Sequence, residues 1–166
     1  CGGGNGEGAA ADVYGIARTE VYGGLIDSVF GGSNVNGLID SVALTLDESG
    51  STCNNIIGTL FGGGNFAPGG GGMLTIECGD YNINEIYGGS HMAPIKGNVG
   101  LTVKGGTYTN VYAGSKGSTT FAADIEGNVT LNLHGGTITN AFGGSNLNGN
   151  VTGIITVNVL DSAKNN

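Results

Sequence analysis

Three polar residues share one position of an internal repeat, and they are the best candidates for catalysis in this sequence. Glu77, Lys104 and His134 each end an alternating apolar segment, where a glycine-containing turn begins. A carboxylate, a cation and an imidazole brought together by stacked repeats would supply the acid, base and charge needed to cleave an acidic polysaccharide. Strand alternation, however, places this position on the outer face, where any polar residue is tolerated. We therefore expect no catalytic residue and no enzyme.

The glycine-rich stretches carry no signature of a cofactor site. Residues 2–8 (GGGNGEG) and 62–72 (GGGNFAPGGGG) lack the Gly-Lys-Ser/Thr ending of a phosphate-binding loop, and no helix pattern follows them. Calcium-binding glycine-rich repeats need aspartate after the glycines, whereas these carry Ser or Asn. A single ion site at Asp124 and Glu126 is the alternative to two solvated carboxylates. The sequence predicts glycine corners, with no nucleotide, other cofactor or metal.

The cysteines indicate covalent reinforcement. Cys53 and Cys78 are 25 residues apart, about one repeat, so stacking brings their Cα atoms toward the roughly 4.4–6.8 Å that a disulfide needs. Cys1 is then left without a partner, and an odd cysteine in an oxidising compartment indicates a bridge to another molecule. A free thiol is the alternative for Cys1. CGGGN at 1–5 matches FGGGN at 61–65, which places Cys1 where an aromatic residue otherwise stands.

An aromatic residue returns once per repeat, directly before a pair of small residues. We expect these rings to stack on one another at a corner of the fold; they are Phe30, Phe61, Tyr87, Tyr112 and Phe142. If the same rings faced outward together with Tyr22, they would instead form a stripe on which sugars could stack. Because three of the rings are Phe, which has no polar group to hold in water, the pattern favours the corner stack.

Two sequence motifs match glycosylation acceptors. Asn128 and Asn150 each begin an Asn-Val-Thr sequon, which suits a secreted protein. Both also fit the position at which a strand starts, where Asn98 stands without a sequon. A ladder of stacked asparagine side chains therefore explains all three residues.

Composition narrows the classes of partner. The chain has 166 residues, 36 of them Gly, and five Lys and Arg against thirteen Asp and Glu, for a net charge of −8. So few cations cannot neutralise a run of phosphates, which excludes nucleic acid, and they disfavour an anionic membrane surface. No apolar stretch approaches the roughly 18 residues that span a bilayer, so we expect no membrane insertion. We interpret residues 1–166 as one domain, and the start at Cys1 indicates a processed or partial chain.

Five segments with a period of two form a first column of strands. They alternate apolar with small or polar residues and lie at 41–46, 73–78, 98–103, 128–133 and 153–159. Equivalent apolar residues at 44, 74, 101, 131 and 155 set a repeat of about 24–31 residues. Each strand is followed by a first glycine corner, a second short strand that carries the aromatic residue, and a second glycine corner. Length varies mainly after the second corner.

A unit this short cannot bury its own apolar face, so neighbouring units must stack. We predict an all-β fold, a parallel β-solenoid of about five to six coils with few or no helices, in which each coil advances by roughly 4.8 Å. Glycine at the corners supplies positive φ and lets successive coils approach. The Asn or Ser that follows the glycines is expected to bond to its equivalent in the next coil.

The repeated aromatic-Gly-Gly-Ser-Asn and Gly-Asn-Val-Thr-Leu segments resemble those of glycine-rich repeat proteins and adhesin-like proteins on microbial surfaces. A second similarity is to the glycine-rich, cysteine-containing proteins that build sheaths around filamentous methanogens. The resemblance spans nearly the whole chain and implies a structural role at the cell surface, but it transfers no catalytic or binding residue.

These features lead to one expected function and one alternative. The expected function is that of an extracellular structural protein whose copies assemble by strand stacking into a fibre, sheath or surface layer, with the chain itself as partner. The alternative is a segment of a cell-surface adhesin that binds glycans through its variable loops. A polysaccharide-degrading enzyme ranks last because no site for it is visible.

Overall fold

The computed structural model describes residues 1–49 and 55–160, and this part of the chain is all β with no helix. It contains eleven strands: β1 (Val13–Val21), β2 (Gly24–Phe30), β3 (Ile39–Leu46), β4 (Asn55–Phe61), β5 (Gly72–Ile76), β6 (Asn82–Tyr87), β7 (Val99–Val103), β8 (Thr107–Tyr112), β9 (Val129–Leu133), β10 (Thr137–Phe142) and β11 (Ile155–Val159). Odd-numbered and even-numbered strands alternate along the chain between two sheets.

Every strand pairs in parallel with its equivalent one coil away. The odd-numbered strands form a six-stranded sheet, called sheet A, in the order β1-β3-β5-β7-β9-β11. The even-numbered strands form a five-stranded sheet, sheet B, in the order β10-β8-β6-β4-β2. Parallel pairing without exception, with strictly sequential order, defines a β-solenoid of about five turns. The predicted fold class is confirmed.

The register of sheet A aligns its apolar residues into columns. The central inner column contains Leu44, Leu74, Leu101 and Leu131, and it continues at Val157. The sequence alignment assigned Ile155 to this column, which is wrong: Ile155 pairs with Val129, one inner column earlier. The alignment was shifted by two residues. Side chains alternate between the two faces of a strand, so a shift of two residues keeps the same side chains on the inner face and leaves the hydrophobic pattern unchanged.

The core lies between the sheets and along a third side. The inner columns of both sheets meet in one cluster of buried side chains. On the third side, single parallel bridges join residues that follow the second corners: Ile39, Gly69, Ile95, Ile125 and Val151. Ile95 and Ile125 are almost fully buried, so this ladder closes the interior that the two sheets leave open.

Glycines make both corners possible, in different ways. At the first corner, between sheets A and B, Gly106 and Gly136 have φ values of +94° and +91°, which only glycine adopts readily. At the second corner, between sheets B and A, the backbone N–H of Gly62 donates to Tyr87 O and that of Gly88 to Tyr112 O. A side chain at Gly62 or Gly88 would overlap the carbonyl of the next coil.

No helix in the described part of the chain is long and apolar enough to cross a membrane.

Candidate functional site

The most regular feature of the molecule is a stack of five aromatic rings at the end of sheet B. Consecutive rings lie 4.8–5.1 Å apart, centroid to centroid, and within 10° of parallel. The rings belong to Phe30, Phe61, Tyr87, Tyr112 and Phe142, one from each even-numbered strand. Strand pairing at one residue per coil fixes this spacing, so the rings form an aromatic ladder parallel to the solenoid axis.

The aromatic ladder is covered along most of its length. Phe61 and Tyr87 are buried, Phe30 and Tyr112 are half-buried, and Phe142 is 44% exposed. Because each inner ring has both faces against another ring, it cannot stack on a sugar. The alternative of an outward stripe is therefore disfavoured. Tyr22 lies outside the ladder: it follows β1 of sheet A, and its hydroxyl donates to Glu20 Oε2 at 2.7 Å.

A ladder of polar side chains runs beside the rings at the second corner. Asn34 Nδ2 donates to Asn5 Oδ1 at 2.7 Å, and Asn65 Nδ2 donates to Asn34 Oδ1 at 2.9 Å. In the next coil the position is His91, whose Nδ1 lies 2.8 Å from Asn65 Oδ1. The ring of His91 lies against Phe61, with centroids 4.9 Å apart. The predicted amide ladder is present, and it ends on a histidine.

The serines of the same corners form a second, internal ladder. Ser90 N donates to Ser115 Oγ and Ser115 N to Ser145 Oγ, each at 3.1 Å. Ser90 and Ser115 are fully buried. Ser90 Oγ also donates to Ala93 O of its own coil, so the hydroxyls of Ser90, Ser115 and Ser145 all have backbone partners, whereas the buried hydroxyl of Ser33 at the equivalent position has none.

An ion pair lies beside the central ring of the aromatic ladder. Lys116 occupies the coil after His91, and its Nζ forms an ion pair with Glu85 and lies 5.5 Å from the centroid of the Tyr87 ring. Asn146 Nδ2 donates to the hydroxyl of Tyr87 at 3.0 Å. Burial raises the pKa of Tyr87 to about 12, and the bond from Asn146 only partly opposes this, so the phenol stays protonated. This arrangement holds the rings in place.

Burial lowers the pKa of His91 below its ordinary value of 6.5, and nearby Lys116 lowers it further. Between the folded pKa and pH 6.5, His91 is therefore mostly protonated in the unfolded chain and mostly neutral in the folded chain. The stability that depends on neutral His91 is complete above pH 6.5 and is lost as the pH falls through the lower, folded pKa.

We expect His91→Asn, which continues the amide ladder with a group that does not titrate, to flatten the fall in Tm between pH 7 and pH 5. The measurement is thermal unfolding of both chains at each pH. The matched control is His134→Asn, which removes the only other histidine; equal slopes for wild type and His91→Asn would contradict the assignment.

Glu77, Lys104 and His134 do share one position of the repeat. Lys104 N donates to Ile76 O and His134 N to Val103 O, so each starts the first corner of its coil. Lys104 Nζ lies 2.7 Å from Glu77 Oε1, and both side chains are about one-third exposed. An ion pair this exposed contributes little stability. The three residues therefore form a solvated outer column. Within residues 1–49 and 55–160, no group of three or more His, Cys, Asp or Glu is placed to hold a metal ion.

The two cysteines in the described part of the chain lie on the surface. Cys1 and Cys78 are exposed free thiols, and Cys78 Sγ lies 3.4 Å from Lys104 O. Cys53 lies outside the described residues, so its pairing with Cys78 stays a prediction. Gly2 N donates to Phe30 O, in the same way that Gly31 N donates to Phe61 O. Cys1 therefore stands at the aromatic position of the coil before Phe30, as the similarity of the two motifs indicates.

The two sequon asparagines are exposed but occupy different columns. Asn128 directly precedes β9, and its Oδ1 accepts from Ile154 N at 2.8 Å, just as Asn98 Oδ1 accepts from Asn128 N. Asn150 does not stand at a strand start, and the interpretation that grouped it with Asn98 and Asn128 is wrong. Asn150 instead directly precedes Val151, which belongs to the third-side ladder. Val151 lies four residues before the start of β11, so Asn150 is still at the second corner.

Among the described residues, the last coil exposes an apolar face. In β11, the inner residues Ile155 and Val157 are each 46% exposed and Val159 is 80% exposed, whereas Val129 and Leu131, in the same columns of β9, are fully buried. Phe142 presents one ring face at the same end. Within the described ranges, no strand pairs with the outer edge of β11. We call β11 and Phe142 the open end.

Sequence reasoning missed β1 and the third-side ladder. The signal for the ladder was present as the repeated segments IKGNVGL at 95–101 and IEGNVTL at 125–131, in which one isoleucine precedes the strand by four residues. Two tyrosines beside the first corners were also missed: Tyr81, directly before β6, and Tyr108, the second residue of β8. Both are buried, and burial raises the pKa of each.

Comparison of this chain with protein-family models, with curated proteins and with solved structures gave no match.

Proposed function

We propose that this chain is a structural protein of the cell exterior, and that its copies assemble through the ends of the solenoid into a fibre, sheath or surface layer. The open end carries this proposal. Its apolar columns belong to a core that the central coils bury, so contact with a further coil would remove the same surface from water.

The backbone of the open end suits strand addition. Ile154 O accepts from Val129 N, and Leu160 N donates to Leu133 O, so the even-numbered residues of this segment bond to β9. Bonds alternate along a strand, so the N–H and C=O groups of Ile155, Val157 and Val159 point away from β9. An apolar edge strand with free backbone groups is a template for another strand. The exposed thiols of Cys1 and Cys78 would allow oxidation to reinforce the assembly.

An inward lysine at the open end tests the proposal. We expect Val157→Lys to weaken assembly at least tenfold, because it places a charge in an apolar column that a second chain would bury. The control is Thr156→Lys, which adds the same charge to the outer face of the same strand. Sedimentation velocity over a concentration series gives the assembly constants.

Electron microscopy of the same samples, with and without reductant, shows the form of the assembly. Fibres or tubes of wild type and Thr156→Lys that are lost in Val157→Lys would support the proposal. A wild-type chain that stays monomeric at high concentration under oxidising conditions would contradict it.

A second candidate is glycan binding through the variable loops, because two exposed rings meet there. Phe66 and Phe121 are 41% and 50% exposed, and their centroids lie 5.8 Å apart in an edge-to-face arrangement. Exposed rings of this kind provide apolar faces for sugars. Monomeric protein that binds a glycan array, and that loses binding in Phe121→Ala, would favour this candidate over assembly.

A further inference from the structure

We propose that copies join head to tail and in register, so that β1 of one copy continues sheet A beyond β11 of the next. This inference rests on the proposed function and specifies its interface: the contact is directional, has a single register and does not close on itself.

β1 and β11, the two outermost strands of sheet A in the described part of the chain, have matching columns. Through the strand pairings, Ala17, Thr19 and Val21 of β1 stand in the columns of Ile155, Val157 and Val159. The outer columns match as well, with Arg18 in line with Thr156 and Glu20 in line with Asn158. A second copy placed against β11 in this register would make the same parallel strand contact that β9 makes with β11. The proposed interface therefore repeats one that the fold already contains.

The side-chain ladders give the solenoid a direction. Five asparagine side chains in the described residues donate to a polar side chain of the adjoining coil, and the acceptor always lies on the coil nearer the N terminus. The pairs are Asn34 to Asn5, Asn65 to Asn34, Asn132 to Thr102, Asn140 to Asn110 and Asn158 to Asn132. Acceptor oxygens therefore face the open end. A twofold contact between two open ends would oppose acceptor to acceptor, whereas a head-to-tail contact does not.

The second corners match in the same arrangement. Asn146 uses its Nδ2 on Tyr87, so its Oδ1 faces the next coil, where the register places Asn5 of the second copy. Asn5 Nδ2 has only a 3.4 Å contact with Glu7 in the free chain. The same register brings Cys1 of the second copy to the aromatic position after Phe142. A sulfur about 5 Å from a ring is a favourable contact, and it would cover the exposed face of Phe142.

Such a contact is heterologous, because it joins two different surfaces of the same chain. Heterologous contacts that do not close by rotation generate filaments. Since each coil follows the last along one axis, the repeated contact continues along that axis.

Disulfide trapping between two single variants tests the register. Both are made in a chain whose own cysteines are replaced (Cys1→Ser, Cys53→Ser, Cys78→Ser). Arg18→Cys and Thr156→Cys are exposed positions of one outer column, and neighbouring strands at roughly 4.8 Å bring paired positions within disulfide range. We expect a covalent dimer when the two are mixed and oxidised, and at least tenfold less with either alone. The off-register control mixes Thr156→Cys with Glu20→Cys, two residues away, and should give similarly little.

The outcomes separate the two proposals. Sedimentation of the wild-type chain under oxidising conditions shows whether chains assemble at all; if they do not, both the proposed function and this inference are contradicted. Assembly without the Arg18–Thr156 dimer, or with more dimer in the off-register mixture, overturns the inference alone. Dimer formed by Thr156→Cys without its partner would indicate a twofold contact and would also overturn it.

The outer column that contains Glu20 and Asn158 supplies a test in which the variant is expected to strengthen assembly instead of weakening it. The register places the carboxylate of Glu20 against the acceptor side of Asn158, where neither side chain has a hydrogen to donate to the other's oxygen without rearrangement. Glu20→Gln would supply a donor and remove a charge, so it should strengthen assembly about two- to tenfold, as one net hydrogen bond does. Unchanged or weaker assembly of this variant would count against the register. The double variant Glu20→Gln, Val157→Lys should again fail to assemble.

Discussion

Replacing Leu101 with alanine is expected to lower the free energy of unfolding by about 3 kcal/mol, because the cavity that it leaves cannot collapse. Leu101 is fully buried at the middle of the central inner column, between Leu74 and Leu131. Strand pairing holds these neighbours at a fixed backbone spacing, so they cannot move inward to fill the space. The cost therefore includes most of the cavity as well as the lost transfer of the side chain from water.

The measurement is urea unfolding followed by circular dichroism, at concentrations where sedimentation shows one monomeric species. The control is Thr130→Ala in the neighbouring strand β9, whose side chain lies on the outer face and is half-buried. We expect that variant to lose no more than about 0.5 kcal/mol, as outer-face substitutions usually do. A loss for Leu101→Ala no larger than that of this control would show that the column can collapse and would contradict the fixed spacing.

Replacing Gly88 with alanine is expected to cost about 2–3 kcal/mol, although it adds only one methyl group. A Cβ at this second corner would overlap the carbonyl oxygen of Ala113 in the next coil and would lie 3.2 Å from the Cβ of Leu101. The overlapped atoms belong to the backbone, so no rotamer change relieves the contact. The coils must separate locally, which lengthens the bond from Gly88 N to Tyr112 O.

Gly69→Ala is the matched control for this corner. A Cβ at Gly69 would meet nothing within 4 Å, and the residue lies in the third-side ladder of the same fold. Its stability should stay within about 0.5 kcal/mol of wild type, or rise slightly because alanine restricts the unfolded chain. Equal losses at Gly88 and Gly69 in urea unfolding would mean that these glycines matter through flexibility rather than through close approach of the coils.

The central coils could be predicted from sequence because their two kinds of signal agree. Leu74, Leu101 and Leu131 alternate with polar residues, and a ring followed by small residues returns at a constant distance in the last two complete units. Period-two alternation fixes which face is buried, and repetition fixes which strands pair. These features specify the sheets, the aromatic ladder and the amide ladder.

The end coils depart from the pattern for physical reasons. β1 includes a register shift between Val13 and Ile16, and its outer residues Tyr14 and Ile16 are apolar and exposed, so it shows no clean alternation. The residues of β11 lost their alignment because a pattern of period two is unchanged by a shift of two. His91 and Lys116 stand at the Asn position of the repeat, but sequence could not show that they meet the rings, because that contact depends on how the loop folds over sheet B.

The direction of the hydrogen bonds between coils has a mechanical consequence. These bonds run along the solenoid axis, and the covalent chain crosses from one coil to the next only once per turn. Tension along the axis therefore breaks one layer of bonds and releases one coil, which adds an extended length on the order of 90 Å for a turn of about 25–30 residues. Tension along the strands is instead borne directly by covalent bonds. The solenoid is therefore stiff along its strands and yields stepwise along its axis.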